Sequence, residues 1–392
     1  MQTEEQQITE LKKVIESSHI NFLIGSGASR PFLDTLGDLE INITALDSTE
    51  LNQEKLNILK ASVFLEYLKN CLFGNLFFGK DDISNYRKSC VENEDSKVDE
   101  FLKVKRSYDL FVTNVSKLLN SRDIKLLSKQ VNIFTTNVDV FFEESLESQK
   151  CSFNDGFAGR KELIFDTVNF HNTIHKLSTH YEYRSEIPLF NLFKVHGSLN
   201  WLISNEKSVG EYNIAADYRL KNLNDLYEFW RAHDTLFIDY KQVGDSILQN
   251  DFSFLEDLEI ESKTIDKFLK LYNQLVMINP TKQKFADTTR NIHYYEMLRM
   301  YANHLERENS VLFVFGFSFS DEHIQKITQR VANSNPTLLI YILCANTERD
   351  SFEKIFKSFP NVKFISPDSG GYFTMDDLNR YLEKIIGTIP LN

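Results

Sequence analysis

Five small residues in a row, near the start of the chain, have the composition of a phosphate-binding turn. They are Gly25, Ser26, Gly27, Ala28 and Ser29. Glycines let a backbone approach an anion closely, and a helix beginning here would offer unpaired N–H groups and the positive end of its dipole. The third glycine of the dinucleotide-binding fingerprint is missing, because position 30 is arginine. A plain tight turn between a strand and a helix is therefore the alternative.

A second polar segment follows the apolar run at 131–135. It contains Thr136, Asn137 and Asp139. Open α/β sheets bind ligands at the carboxyl ends of their strands, so a polar cluster at this position predicts contacts with a ligand. Helix capping by Thr136 or Asn137 is the alternative, since short polar side chains commonly satisfy the first N–H groups of a helix. Capping would account for one of these residues but hardly for all of them.

A histidine beside a glycine marks the third segment, at the end of another apolar run. His196 precedes Gly197, and Ser198 and Asn200 follow. A neutral imidazole can take up a proton at ordinary pH, which makes His196 a candidate general base. The neighbouring glycine predicts room for a ligand beside the ring. A lone histidine is more often structural, and that is the alternative here.

The fourth segment is a second glycine-serine turn, which follows the apolar run at 311–315. It contains Gly316 and Ser318, and either Ser320 or Asp321 is suited to cap the helix that comes next. Two such turns at one edge of a sheet predict a site that holds the two ends of a dinucleotide.

Short continuous runs of β-branched and aromatic residues would position these four segments. The runs lie at 19–24, 131–135, 311–315, 338–343 and 362–365, with further candidates at 193–196 and 275–278. They alternate with helical patterns, which is typical of a parallel sheet covered on both faces. The first two runs are about 100 residues apart, whereas a βαβ unit needs about 30, so an insertion is predicted between them.

The predicted fold class is therefore α/β, a Rossmann-like doubly wound parallel sheet with a large, mainly helical insertion or second lobe. Residues 1–150 and 301–392 are assigned to the Rossmann-like, dinucleotide-binding domain, with the helical insertion at about 40–120. Residues 151–300 are predicted to form a mainly helical small lobe. The polar stretch at 81–100 is predicted to be a surface loop.

The composition argues against several classes of protein. Acidic residues outnumber basic ones by 56 to 44, and a net charge of −12 argues against direct binding to nucleic acid or anionic lipid. The four cysteines are scattered without a CxxC pair, so no metal site is predicted. No apolar stretch approaches the roughly 20 residues that cross a bilayer, and the amino terminus lacks the apolar core of a secretion signal. We therefore expect a cytoplasmic protein.

Taken in this order, the four segments resemble the sirtuin family. The resemblance is strongest to bacterial sirtuin-like proteins of antiphage defence, in which comparable motifs recur: FTTNVD at 134–139, FNDGF at 153–157, KVHGSLNW at 194–201 and GFSFSDEH at 316–323. It implies a Rossmann-like fold and cleavage of NAD, the substrate, to ADP-ribose and nicotinamide. Asn137 and His196 match the catalytic asparagine and histidine of that group, and Asp155 either supports the ribose or orders a turn.

The resemblance also implies regulation and partners. Destruction of NAD in an infected cell is an abortive-infection response, and it must be gated because constant activity would kill the host. Chains of this size in the group tend to form large rings, so we expect a homo-oligomer and a HerA-type DNA-translocating ATPase as partner. One alternative is a non-catalytic module that senses NAD or ADP-ribose. A second is an NAD-dependent protein deacylase, which is disfavoured because this chain cannot build the four-cysteine zinc module of deacylating sirtuins.

Overall fold

The fold is that of a computed structural model, which describes residues 4–78, 94–122, 127–179, 184–208, 211–256, 258, 261–279, 292–367 and 371–387. Of the polar stretch predicted to be a loop, residues 81–93 lie outside the described residues, and 94–100 begin a long helix. In the part of the chain described, no helix combines the length and the apolar composition needed to cross a membrane.

The strands are, in chain order, β1 (His19–Ile24), β2 (Gln130–Thr135), β3 (Ser152–Asn154), β4 (Phe157–Ala158), β5 (Ile164–Phe165), β6 (His175–Leu177), β7 (Arg184–Glu186), β8 (Leu189–Lys194), β9 (Trp201–Ser208), β10 (Glu211–Ala216), β11 (Ser310–Phe315), β12 (Leu339–Leu343) and β13 (Val362–Ile365). The α-helices are α1 (Glu4–Ser17), α2 (Leu39–Asp47), α3 (Gln53–Tyr67), α4 (Glu94–Asn120), α5 (Phe141–Ser148), α6 (Lys221–Ala232), α7 (Tyr240–Gln249), α8 (Ser262–Tyr272), α9 (Ile292–Glu306), α10 (Glu322–Ser334), α11 (Asn346–Phe356) and α12 (Met375–Gly387).

A parallel sheet organises the molecule. Among the described residues it has seven strands, in the order β13-β12-β11-β1-β2-β8-β3. The chain builds outward from β1 in both directions, which is the doubly wound arrangement. The predicted α/β, Rossmann-like fold class is thereby confirmed. A four-stranded antiparallel sheet, β4-β5-β10-β9, and the β6-β7 pair complete the strands described.

Both faces of the central sheet are buried, which explains why its strands are continuous apolar runs. Successive side chains of a strand point to opposite faces. In β1, Phe22 and Ile24 join a core with α1, α4, α5 and α12, whereas Leu23 joins the opposite core with α9, α10 and α11. The helices that cover the sheet thus fix it from both sides.

A separate helical lobe is built from two distant parts of the chain. Helices α2 and α3 share one apolar core with α6, α7 and α8. The stacked rings of Phe64 and Tyr272, 4.2 Å apart, join the two parts. This differs from the predicted division, in which 40–120 and 151–300 were separate units. Helix α4 packs against the sheet instead of joining the lobe.

Two further expectations differ from the structure. Strands β3 and β8 belong to the central sheet although they lie beyond residue 150, and residues 152–216 carry β3 to β10, so that this part of the expected helical lobe is rich in strands. The predicted strand at 275–278 is wrong. Met277 forms only an isolated bridge to Gly197, because this apolar run packs against a turn and not along a strand.

The two glycine-rich turns touch each other directly at the edge of the sheet. The Gly27 N–H donates to the carbonyl oxygen of Gly316 at 3.0 Å. A Cβ on Gly25 would lie 2.5 Å from that same oxygen, and one on Gly316 would lie 2.6 Å from the backbone nitrogen of Ala28. Gly316 also has a φ of +62°, where a side chain is strained. The contact therefore requires glycine on both sides.

We predict that Gly316→Ala lowers the free energy of unfolding by at least about 2 kcal/mol, because the left-handed backbone costs about 1–2 kcal/mol and the overlap with Ala28 adds to it. Gly371→Ala is the control, since a Cβ there meets nothing within 4 Å. Urea denaturation of both variants measures the difference. Equal stabilities would contradict the close contact.

Candidate functional site

The four polar segments leave the sheet from the carboxyl ends of four adjacent strands. In the registers of these strands Ile24 pairs with Phe315 and with Thr135, and Thr135 pairs with Lys194. The segments after β11, β1, β2 and β8 therefore begin at one level of one sheet edge. This is the edge at which open α/β sheets bind ligands.

The helix expected after the glycines, with its dipole aimed at an anion, is only a four-residue 3₁₀ helix, Ser26–Ser29. The N–H groups of Gly25 and Ala28 are bonded to Phe315 O and Gly25 O, each at 3.0 Å. Ser26 is exposed and Ser29 is buried. The outward side of the turn is thus the part that a ligand can reach.

Ser29 links this turn to the segment after β2. Its hydroxyl donates to Asp139 Oδ2 at 2.7 Å and lies 2.9 Å from the Tyr108 hydroxyl. A serine has one hydrogen to give, so Tyr108 is the donor of the second bond. Burial, together with the charge of Asp139, raises the pKa of Tyr108 well above its usual value, which keeps that proton in place. The turn and the segment are therefore locked together.

Asn137 has an unsatisfied side chain beside this network. The residue is 5% exposed, and neither its amide nitrogen nor its amide oxygen makes a hydrogen bond of normal geometry within the described residues. The Tyr108 phenol is near enough to interact with it. Buried amides are almost always paired in folded proteins. An unpaired one at a sheet edge is a candidate contact for a ligand.

Helix capping does not explain Asn137 or Thr136. The helix α5 begins after Val140, and the side chain that bonds to its first N–H is Asp139, whose Oδ1 accepts from Phe141 at 3.3 Å. The Thr136 N–H donates to Ile24 O at 3.3 Å, which ties the segment to β1. The capping alternative for these two residues is therefore wrong.

His196 is held by a carboxylate from the other side of the site. Its Nε2 lies 3.0 Å from Asp321 Oδ2. Burial alone would raise the pKa of Asp321, but the hydrogen bond from His196 and the charge of that ring lower it to about 2. Asp321 also caps α10, accepting from the N–H groups of His323 and Ile324 at 3.1 and 3.3 Å, as predicted for the helix cap. The ring of His196 is therefore oriented by a carboxylate from another segment.

This pair spans the centre of the site. His196 follows β8 and Asp321 follows β11, and two strands, β1 and β2, lie between them in the sheet. Three strand spacings of about 4.8 Å separate their origins by about 14 Å. The two segments must therefore bend toward each other across the ends of β1 and β2. They meet on the side of the sheet edge from which the glycine turn and Asn137 also emerge.

Gly197 is needed for the turn at His196, and the expectation that it leaves room for a ligand is wrong. Its φ is +83°, and a Cβ would lie 2.2 Å from Val276 O. The neighbouring Ile278 N–H donates to His196 O at 2.9 Å. The space beside the glycine is filled by the 275–278 segment, which fixes the backbone of the histidine.

A buried ion pair holds the segments that carry Asn137 and His196. Lys194 is 1% exposed, and its Nζ lies 3.3 Å from Glu143 Oε1 and also donates to the backbone oxygen of Asp139. Ser198 donates to the same carboxylate at 3.1 Å. Burial raises the pKa of Glu143, and Lys194 opposes that rise. One lysine thus connects β8, α5 and the segment after β2.

One predicted site residue, Asp155, lies apart from the glycine turns, whereas Ser318 belongs to the second of them. Asp155 follows β3, which is three strands from β1 in the sheet. Its Oδ1 accepts a hydrogen bond from the Phe157 N–H at 3.2 Å, so Asp155 orders a turn, which is one of the two roles expected of it. Burial raises the pKa of Asp155 to about 6. Ser318 is exposed and shares a hydrogen bond with Ser320 at 2.7 Å. No group of His, Cys, Asp or Glu within the described ranges is placed to hold a metal ion.

The sequence did not reveal Tyr108, Glu143 or the pairing of Asp321 with His196. Tyr108 lies in the middle of α4 and has no local pattern that marks it. A lysine at the end of a strand of buried residues, as at 194, is a usable signal, because a buried lysine requires a partner. The partner itself is not identified by the sequence.

The fold and these side chains define an open, doubly wound α/β protein with a polar site at the carboxyl edge of its sheet, beside β1 where the strand order reverses. No protein-family model matches the chain, and a search of the curated proteins found no match.

We predict that Lys194→Met lowers the free energy of unfolding by about 3–5 kcal/mol, because Glu143 is left buried without its cation. Lys221→Met is the matched control. This variant removes the exposed ion pair between Lys221 and Asp225, whose charged atoms lie 3.2 Å apart. Such a surface pair contributes less than about 1 kcal/mol to stability.

The double variant Lys194→Met/Glu143→Leu should recover much of the loss, since neither charge then remains buried. Urea denaturation measures all of these variants. A Lys194→Met protein as stable as Lys221→Met would show that the pair does not hold the site.

Proposed function

We propose that this chain is an NAD glycohydrolase that cleaves the bond between nicotinamide and ribose. One observation carries the proposal: within the described residues the buried amide of Asn137 makes no hydrogen bond of normal geometry, and it lies at the edge of a doubly wound sheet, in the segment next to the one that carries His196, the partner of Asp321. The sirtuin-like order of the four motifs supports it. The NAD molecule is the substrate, and the reaction proposed needs no metal.

The reaction requires that the ribose and a water molecule be held in position and that one group accept a proton. Nicotinamide leaves as a neutral pyridine, so no general acid is needed, and the remaining task is to hold the ribose and aim a water at its anomeric carbon. The Asn137 amide can accept from a water through its oxygen and donate to a ribose hydroxyl through its nitrogen. Neither atom makes a hydrogen bond of normal geometry in the described part of the chain, and the Tyr108 phenol is near enough to interact with the amide.

His196 is the proposed base. In the neutral ring, with Nε2–H donating to the ionised Asp321, the lone pair is on Nδ1. That nitrogen can take the proton from the attacking water or from a ribose hydroxyl. A positioned base contributes about 10²–10⁴ in rate.

The dinucleotide would lie along the touching glycine turns. We assign the pyrophosphate to the outward side of Gly25–Ser29, where Ser26 is exposed, and the adenosine ribose to Gly316 and Ser318. The glycines allow the backbone to come close to the ligand. Thr136 and Asp139 support this arrangement through their bonds to Ile24 and Ser29.

In a cell the proposed activity fits antiphage defence by NAD depletion, in the cytoplasm. Hydrolysis of NAD must be inhibited in uninfected cells. We therefore propose that assembly into a homo-oligomer and a HerA-type ATPase regulate it. Co-expression followed by mass measurement tests this part separately. A monomer that ignores the ATPase would rule out the partner and leave the hydrolase proposal untouched.

The direct test is chromatography of NAD incubated with purified protein, alone and with the ATPase. We predict that Asn137→Ala and His196→Ala each lower the release of nicotinamide by at least about 100-fold while the protein stays folded. The controls are His175→Ala and Asn57→Ala, an exposed histidine and a partly exposed asparagine away from the sheet edge. Full turnover by either site variant would refute the assignment. Stoichiometric binding without product would instead identify a sensor, and product that requires an acyl-peptide would identify a deacylase.

We predict that Asp321→Asn lowers nicotinamide release by about 10²–10⁴-fold with little change in stability. Asparagine caps a helix as well as aspartate does, so α10 is preserved while the charge that fixes the imidazole tautomer is lost. Thermal unfolding and the NAD assay are compared for the same preparation. An active Asp321→Asn protein would mean that the carboxylate only caps the helix.

A further inference from the structure

A cavity of about 170 Å³ lies beside the proposed NAD site and is separate from it. Its walls come from the end of the segment at Phe78, from α5 and from the start of α6. No residue of either glycine turn lines it, and neither Asn137 nor His196 does. At about 30 Å³ for each molecule of liquid water, the cavity has the volume of five or six waters. It is large enough for a small organic ligand.

One wall of the cavity has an unsatisfied acceptor. Asn200 lines the cavity and is 1% exposed, and its side-chain oxygen makes no hydrogen bond within the described residues. Its backbone oxygen is already used, since it accepts from the Asp217 N–H at 2.6 Å. A buried carbonyl oxygen without a donor costs free energy. A ligand that supplies an N–H or O–H group would satisfy it.

The charges around the cavity are mainly negative. Glu143 and Glu144 both line it, and burial, followed by the charge of Glu143, raises the pKa of Glu144. Burial and then the charge of Asp155 raise the pKa of Tyr218, which stands at the mouth, and no cation lowers it. Lys194 is committed to Glu143. Lys105, whose charge opposes the rise in the pKa of Glu144, is paired with Asp109 at 2.9 Å, and Arg219 is exposed, where solvent screens its charge. A positive ligand is therefore favoured over a negative one.

The remaining walls are apolar. Phe78, Val140 and Leu220 supply an aromatic and two aliphatic surfaces. An aromatic face also attracts a cation. The cavity therefore combines an apolar wall with an acceptor and a carboxylate, and this pattern matches a molecule with an apolar stem and an N–H-bearing positive end.

We propose that this cavity binds a small organic cation, a primary amine on an apolar stem, whose ammonium group donates to Asn200 Oδ1 and to Glu144 while its stem packs against Phe78, Val140 and Leu220. Binding of the amine does not require hydrolysis of NAD. Val140 and Asn200 lie a few residues beyond Asn137 and His196, so a bound amine contacts the same two segments of chain.

The test uses three probes that share a benzene ring and differ in charge: benzylamine, benzyl alcohol and benzoate. Their binding to the full chain is titrated by NMR of the ligand and by calorimetry at physiological salt, without NAD. We expect saturable binding of benzylamine, at least about tenfold weaker binding of benzyl alcohol, and no binding of benzoate, since a hydrogen bond to a charged group is worth about tenfold or more. No saturable binding of benzylamine, or equal binding of benzoate, would overturn the proposal.

Variants assign the binding to this cavity. Asn200→Leu removes the acceptor at similar volume, and Glu144→Gln removes the charge of a half-buried carboxylate without changing its shape. Each substitution should weaken the binding of benzylamine at least about tenfold. The control Glu353→Gln, which changes an exposed carboxylate on α11, should leave that binding unchanged. If Asn200→Leu does not fold, Glu144→Gln decides. Site variants that bind benzylamine as well as Glu353→Gln does would place the ligand elsewhere and overturn the proposal.

Discussion

The hydrogen bond between His196 and Asp321 joins two segments that leave the sheet on opposite sides of β1 and β2. A carboxylate as buried as Asp321 is stable only if its charge is compensated. The imidazole supplies part of that compensation, and two N–H groups at the start of α10 supply the rest. The same bond that stabilises the acid therefore fixes the position of the ring. Everything proposed for the sheet edge depends on that fixed position.

The backbone on either side of the pair leaves little freedom. On the histidine side, Gly197 takes a left-handed turn and the 275–278 segment bonds to the backbone of His196. On the other side, Gly316 packs against the first glycine turn at a distance that no side chain permits. The buried Lys194 then connects β8 to α5 and to the segment after β2. The site is rigid because backbone contacts, and not only side chains, define it.

The sequence predicted the sheet well because buried parallel strands are continuous apolar runs, and those at 19–24, 131–135 and 311–315 are strands in the structure. It also predicted that polar segments follow these strands. It failed at 275–278, since an apolar run that packs against a turn has the same composition as a strand. It could not pair His196 with Asp321, because that contact depends on how two segments cross in three dimensions. The division into lobes failed for the same reason, as α3 and α8 are far apart in the chain.

The helical lobe has a consequence for synthesis. Helices α2 and α3 leave the ribosome well before α6, α7 and α8, which provide the other half of their shared core. The apolar surface of α2 and α3 therefore stays exposed while β2 to β10 are synthesised. Such exposed surface promotes aggregation. Closure of the lobe is a late, long-range event. Because α2 and α3 follow β1 along the chain, a nascent chain that has paired β1 with β2, and β2 with β8, already holds these helices beside the sheet when α6, α7 and α8 are made.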